Sequence, residues 1–221
     1  MFPTLQLACV AGSVVALAAY ELYLGLIARR HPHRIARTVH AEIRARWVRA
    51  LEKQPGSEIL AVQTLRNSLM SATIIGSTAA LALMGSFSVA LPLLMRAGAI
   101  DEPDLGGVLL LLLMLTLFGS FLTAALSMRL FNHAGFMLAF PIGSPERSAM
   151  SGLAVDYLRR AGHHYSRSLH LLLLVAPLLV GIVAPLVMPF ATAAWLIALR
   201  AYDRAPDPLC LLYTSPSPRD S

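Results

Sequence analysis

Charged and aromatic side chains are scarce in this 221-residue chain: Asp, Glu, Lys and Arg make up 14% of it, and Phe, Trp and Tyr 7%. A typical water-soluble domain has about 25% charged residues. Hydrophobic residues account for 57%, and the mean hydropathy is +0.65. The composition therefore excludes an ordinary soluble protein and indicates an integral membrane protein.

Cysteines and catalytic motifs are also few. Cys9 and Cys210 are the two cysteines, so we expect neither a disulfide framework nor a cysteine-based metal site. There is no Gly-Lys-Ser/Thr phosphate loop, no GxSxG elbow and no HExxH motif. Of seven histidines, His163 and His170 could share a helix face, but no carboxylate has a recognised ligand spacing beside them. We expect no catalytic residue, no cofactor and no metal.

Four apolar runs are long enough to cross a bilayer, which takes about 20 helical residues. They cover residues 5–27, 69–95, 105–126 and 169–199. We therefore predict an all-α protein with four transmembrane helices. The last run contains Pro177, Pro185 and Pro189, and since proline removes a backbone donor, we predict helix kinks at these positions.

Basic residues between the runs predict the orientation. Nine Lys or Arg lie between the first two runs and five between the last two, whereas Arg96 alone lies between the second and third. Cytoplasmic loops retain positive charge, so loops 28–68 and 127–168 should be cytoplasmic and both termini outside.

Although the net charge is +6, the basic residues adjoin the membrane spans without a recognised nucleic-acid motif. We expect them to meet anionic lipid and not nucleic acid.

Each cytoplasmic loop contains a helix signal. In the first loop, five apolar residues recur at helical spacing among arginines: Ile35, Val39, Ile43, Trp47 and Leu51. This pattern predicts an amphipathic helix on the membrane surface. In the second loop, Ser144 and Pro145 are typical of a helix start. That second helix should lie against the membrane or against the first loop's helix.

Small residues recur at every fourth position in the first two spans: Ala8, Gly12 and Ala16, then Ser68, Ala72, Gly76 and Ala80. Such ladders allow close helix approach in lipid. We therefore predict that these two spans pack antiparallel. Glu21 and Arg66 would then lie at similar depth, and because an unpaired carboxylate there is costly, we predict a structural ion pair between them.

The last twelve residues, Cys210 to Ser221, break with the preceding composition. They resemble the translation of a sequencing adapter. We therefore expect a single membrane domain over residues 1–209 and treat 210–221 as non-native.

Several short strings carry a family resemblance: Ile-Arg-Ala-Arg-Trp-Val from Ile43, Leu-Ala-Val-Gln-Thr-Leu-Arg-Asn from Leu60, and Leu-Ser-Met-Arg from Leu126. They resemble an uncharacterised membrane-protein family of bacteria and plants, domain of unknown function 599. The resemblance implies a four-span fold and supplies no catalytic residue, and we expect a multi-pass protein of the bacterial inner membrane. The resemblance also implies that seven residues act together: Arg46, Trp47, Gln63, Arg66, Asn67, Arg129 and Asn132.

All seven residues fall on the cytoplasmic side of the predicted topology. Our leading hypothesis is a non-enzymatic module that binds lipid headgroups or a partner protein through this cluster. The alternative is an oligomeric transporter or channel for a small solute or ion. A lipid-modifying enzyme, supported by the scattered histidines alone, is a third hypothesis.

Overall fold

A computed structural model of the protein describes residues 2–30, 36–96 and 105–204. This part of the chain forms six helices and no strand, which confirms the predicted all-α class. They are α1 (Phe2–Arg30), α2 (Ala36–Leu51), α3 (Glu58–Arg96), α4 (Leu105–Ala139), α5 (Pro145–Val183) and α6 (Met188–Asp203). The predicted non-native segment 210–221 and the acidic residues at 101–104 lie outside the described residues.

Four helices are long and apolar enough to cross a membrane, as predicted. Their candidate spans are Thr4–Ile27, Glu58–Pro92, Leu105–Ala139 and Pro145–Val183. Helices α3 and α5 each have 39 residues, which is roughly 58 Å at 1.5 Å per residue. Since a bilayer core is about 30 Å thick, one end of each must project beyond it.

The ends of α3, α4 and α5 that adjoin α2 pack with it into a compact unit that we call the basic head: α2 with residues 58–68 of α3, 127–139 of α4 and 145–165 of α5. Its core is apolar and draws on all four helices: Val48, Leu51, Ala61, Leu65, Phe131, Ala134, Leu138, Ala154, Leu158 and Ala161. Because the unit has its own buried core, it positions the surface residues around it.

Two tight turns of similar construction join the helices of the basic head. Gly56 and Gly143 have positive φ angles of 88° and 91°, the left-handed conformation that glycine adopts without steric penalty. In each turn the following serine donates its backbone N–H to the carbonyl three residues earlier, Ser57 to Gln54 at 3.2 Å and Ser144 to Pro141 at 3.1 Å. The predicted Ser144 cap is present, since its hydroxyl accepts from the Arg147 amide at 3.2 Å.

Helix α2 packs against α5, one of the two arrangements predicted for the second loop's helix. Its buried residues are Ala45, Val48 and Leu51, whereas Ile43, predicted to face the membrane, is 46% exposed. The second predicted surface helix is not separate. It is the first part of α5, which continues without a break from Pro145 to Val183.

The predicted fourth span over 169–199 is wrong as a single helix. Helix α5 ends at Val183 and α6 begins at Met188. Pro185 lies in the break, Pro189 is in the first turn of α6, and Pro177 lies inside α5, which remains helical there. Pro185 has no N–H for the Gly181 carbonyl, so the helix stops. Asp203 then lies 3.1 Å from His170, which shows that α6 turns back along α5. The C-terminal end of α6 therefore does not lie on the side of the membrane domain opposite to loops 28–68 and 127–168, where the sequence predicts the C-terminus.

The small-residue ladder of α3 faces α4 and not α1, so the predicted pairing of the first two spans is wrong. A Cβ on Gly76 would lie 3.2 Å from Ala124 Cβ of α4, whereas one on Gly12 of α1 would have no atom within 4 Å. Helix α1 packs mainly against α6. Helices α4 and α5 are also joined by hydroxyls: Ser120 donates to the Ser168 carbonyl at 2.8 Å, and Ser168 to the Ser120 carbonyl at 2.7 Å.

We expect Gly76→Leu to lower the free energy of unfolding by about 1–3 kcal/mol, because the added side chain overfills the contact with α4. Gly85→Leu is the matched control in the same helix, since a Cβ there meets nothing within 4 Å. Thermal unfolding in detergent measures both. Equal destabilisation of the two variants would contradict the close approach of α3 and α4.

Candidate functional site

Two of the seven predicted cluster residues line one open groove on the basic head. This Arg66 groove has a volume of about 280 Å³ and is lined by Glu58, Ile59, Val62, Gln63, Arg66 and Ala139. Arg66 and Gln63 lie three residues apart on α3, which places them on the same helix face. Both are exposed. The groove therefore presents a guanidinium and an amide together.

The walls of the Arg66 groove are apolar, and one edge of it is firmly held. Ile59 is 73% exposed and Val62 40% exposed. At the edge, the Glu58 carboxylate accepts a hydrogen bond from the Ile142 amide at 2.8 Å, which ties the start of α3 to the turn between α4 and α5. Arg147, buried in the first turn of α5, donates to the Met137 carbonyl at 3.4 Å. These contacts hold the Glu58 edge of the groove in place.

A second, more basic groove lies on α2 and the turn that follows. This Arg49 groove, of about 410 Å³, is lined by Arg46, Arg49, Ala50, Lys53 and Gln54. Arg46 also forms an exposed ion pair with Glu42 at 3.2 Å, a kind of contact that contributes at most about 1 kcal/mol. Arg46 therefore belongs to a different groove from Arg66.

The other predicted cluster residues do not join the Arg66 groove. Trp47 packs against the core of the basic head. Asn67, Arg129 and Asn132 are exposed, and neither groove includes them. The structure therefore divides the predicted cluster of seven residues among several surfaces.

The predicted Glu21–Arg66 ion pair is not formed among the described residues. Glu21 of α1 instead contacts Nδ1 of His170 in α5. The other ring nitrogen, Nε2, lies 3.1 Å from the Asp203 carboxylate of α6. Tyr20 donates its hydroxyl to the same Asp203 oxygen at 2.9 Å. This polar joint of Tyr20, Glu21, His170 and Asp203 connects three helices.

Sequence reasoning did not bring the polar joint together. Sequence spacing links His170 only to His163 and gives Asp203 no place in a site. The available signal was the presence of ionisable residues at or near the ends of apolar runs, which is costly unless they are paired. Nothing in the sequence indicates that α6 folds back beside α5.

Arg44 forms a further unusual contact in the basic head. Its guanidinium lies directly over Gly162 of α5, in the space that a Cβ would occupy. Nε and Nη2 are buried, and neither has a hydrogen-bond partner among the described residues. Burial lowers the pKa of the Arg44 guanidinium, yet an arginine remains protonated at neutral pH. Within the described part of the chain, the α2–α5 interface therefore holds two guanidinium nitrogens without an acceptor.

The described part of the chain contains no group of three or more His, Cys, Asp or Glu side chains suited to hold a metal ion. In the polar joint, Glu21 and Asp203 contact opposite nitrogens of one ring, so the three groups do not converge on a common point.

The comparison with protein families identifies the chain. A family model described as "Protein of unknown function, DUF599" matches residues 8–208. The chain belongs to this family. The match begins within the first turns of α1 and extends past the end of α6, so the two grooves and the polar joint of this DUF599 protein all lie within it. No curated protein and no solved structure matches the chain.

Proposed function

We propose that this DUF599 protein is a non-enzymatic module of the bacterial inner membrane that binds an anionic phospholipid headgroup in the Arg66 groove. The basic head faces the cytoplasm in this proposal, with the N-terminus outside. The supporting observation is the pairing of Arg66 and Gln63 in one groove beside exposed Ile59 and Val62.

The chemistry of the groove suits a phospholipid. A guanidinium binds phosphate through charge-assisted hydrogen bonds, and the Gln63 amide can donate to a second oxygen. The apolar walls suit the glycerol and the upper acyl chain. Arg66 also lies three residues before the apolar run that begins at Leu69, so in the proposed orientation we expect it at the depth of the headgroups.

The charge distribution favours an anionic lipid over a neutral one. Lys and Arg near an anionic leaflet contribute roughly 1 kcal/mol each. The Arg49 groove adds Arg46, Arg49 and Lys53 to the same basic head. In this proposal, these residues attract the anionic leaflet without selecting a headgroup, and the Arg66 groove provides the selection.

We expect Arg66→Ala to weaken binding of an anionic phospholipid about tenfold, because a hydrogen bond to a charged group contributes about 1.5–3 kcal/mol. Gln63→Ala should have a smaller effect in the same direction. Native mass spectrometry of the protein in nanodiscs of mixed phosphatidylglycerol and phosphatidylcholine measures the lipid retained.

The matched control is Arg159→Ala, which removes an exposed arginine of α5 that lines neither groove. If Arg159→Ala and Arg66→Ala reduce lipid retention equally, the groove has no selective role and the proposal fails. Retention of a protein instead of a lipid by the wild type, lost in Arg66→Ala, would favour the partner-protein alternative. Solute flux in proteoliposomes that is lost in Gln63→Ala would favour the transporter alternative.

A further inference from the structure

The Arg66 groove has a side chain of opposite charge toward each end. Glu58 and Arg66 line the same groove and lie eight residues apart on α3, a rise of roughly 12 Å along the helix. Arg66 is the closer of the two to the apolar run that begins at Leu69, and Glu58 is the first residue of the helix. In the proposed orientation, a lipid phosphate bound by Arg66 therefore has the outer part of its headgroup directed toward Glu58.

The Glu58 carboxylate is held at the outer end of the groove. It accepts a hydrogen bond from the Ile142 amide at 2.8 Å, which fixes its position relative to the turn between α4 and α5. A glutamate side chain is ordinarily ionised at neutral pH. A ligand in the groove therefore meets a negative charge whose position is set by the backbone of another helix connection.

The neighbouring cation does not take the place of a ligand at Glu58. Arg147 is close enough for its charge to act on Glu58, but it is buried and donates to the Met137 carbonyl, and it is not among the residues that line the groove. Of the described residues that do line it, Glu58 and Arg66 are the ionisable ones. The inner end of the groove therefore presents a positive group and the outer end a negative one.

This arrangement distinguishes two kinds of anionic headgroup. Phosphatidic acid is a phosphate monoester, and such a group carries a charge of about −1.5 to −2 at neutral pH. Phosphatidylglycerol is a phosphate diester of lower charge, and its outer glycerol has hydroxyls that can donate a hydrogen bond to a carboxylate. A second phosphate charge is instead repelled by Glu58. Basic residues alone would favour the more highly charged monoester, so a preference for the diester requires the carboxylate.

We propose that Glu58 is a specificity-determining residue of the Arg66 groove. It favours an anionic phosphodiester headgroup with a hydroxyl donor beyond the phosphate, as in phosphatidylglycerol, and disfavours phosphatidic acid. Arg66 binds the phosphate of either lipid, and Glu58 contacts the group that lies beyond it. This inference rests on the lipid-binding proposal, because it assigns the headgroup class to the same groove.

Native mass spectrometry tests the assignment in nanodiscs that contain equal amounts of phosphatidylglycerol and phosphatidic acid in phosphatidylcholine. We expect the wild type to retain phosphatidylglycerol about tenfold over phosphatidic acid, the effect of one hydrogen bond to a charged group. Equal retention of the two lipids, with both reduced in Arg66→Ala, would overturn the role of Glu58 and leave the lipid-binding proposal standing. Retention of neither lipid above phosphatidylcholine would overturn both.

Glu58→Gln tests whether this residue is responsible. Its amide keeps an oxygen that can accept from the Ile142 amide, but it is uncharged and its NH₂ group can donate to a phosphate. We expect the preference for phosphatidylglycerol to fall about tenfold, to nearly equal retention of the two lipids. An unchanged preference would overturn the proposal.

The matched control is Glu146→Gln, which removes an exposed carboxylate of α5 that lines neither groove. It should keep the wild-type preference, and a loss equal to that of Glu58→Gln would overturn the assignment to Glu58. Should Glu58→Gln not fold, the wild-type comparison decides alone. Retention of phosphatidic acid equal to or above that of phosphatidylglycerol then overturns the proposal.

Discussion

Truncation of Leu158 to alanine is expected to lower the free energy of unfolding by about 2–5 kcal/mol, the usual cost of removing a fully buried leucine side chain. Leu158 is 1% exposed and lies in the core that joins α2 to the other helices of the basic head. The loss should therefore separate α2 from α5 before the membrane spans unfold. Hydrogen exchange of the α2 amides, together with chemical unfolding in detergent, measures both effects.

Leu153→Ala is the matched control for this prediction. It makes the same chemical change in the same helix, at a position that is 47% exposed, so we expect a cost within about 0.5 kcal/mol. If the amide hydrogens of α2 exchange equally fast in the two variants, the apolar core of the basic head is not what holds α2 against α5. The alternative would then be that contact with lipid holds α2 in place, as the sequence pattern suggested.

The positions of the apolar helices were predictable because they follow from local properties, whereas the full extent of α5 and its end at Val183 were not. Long apolar runs identified the spans, and the Ser144–Pro145 start of α5 and the Pro-Gly-Ser turn before α3 follow from capping and turn chemistry. These signals depend on neighbours in sequence. They do not depend on which helix lies alongside.

Which helices pack against each other was not predictable. Lipid is as apolar as the helix surfaces, so hydrophobicity does not distinguish a face that packs against another helix from a face that contacts lipid. The ladder containing Gly76 fits α4 as well as it would fit α1, and the sequence alone does not distinguish the two. The partner of Glu21 depended in turn on that choice and on the return of α6. Because the predicted packing of the first two spans is wrong, the ion pair predicted between Glu21 and Arg66 is wrong as well.

The candidate site was predicted in part for a related reason. Gln63 and Arg66 share the groove because both lie on α3 at a spacing of three. Arg129 and Asn132 lie on another helix, and the rotation of α4 is set by its buried stripe, which includes Ser127, Phe131 and Ala134. Family resemblance groups residues that matter, but it does not show which of them face each other.

Substitution of Gly162 by leucine is expected to lower the free energy of unfolding by about 1 kcal/mol, the lower end of the usual cost of overpacking, because the new side chain occupies the space of the Arg44 guanidinium and this flexible side chain has to move out of the α2–α5 interface. A glycine in a helix interior is otherwise about 1 kcal/mol less favourable than alanine, so the backbone itself would gain from the change. Gly152→Leu in the same helix is the control, since a Cβ there meets nothing within 4 Å. We expect no loss of stability for that variant.

Combination with Arg44→Ala separates steric overlap from other causes. Among the described residues, the buried Nε and Nη2 atoms of Arg44 have no hydrogen-bond partner, and because a buried polar group without a partner is costly, the guanidinium should contribute little net stability. We therefore expect Arg44→Ala alone to be close to neutral and to restore most of the stability lost in Gly162→Leu. A double-mutant cycle from chemical unfolding should give a coupling energy of at least about 0.5 kcal/mol. Additive effects would mean that Gly162→Leu destabilises the protein independently of Arg44. The contact between Arg44 of α2 and α5 would then not require a glycine at position 162.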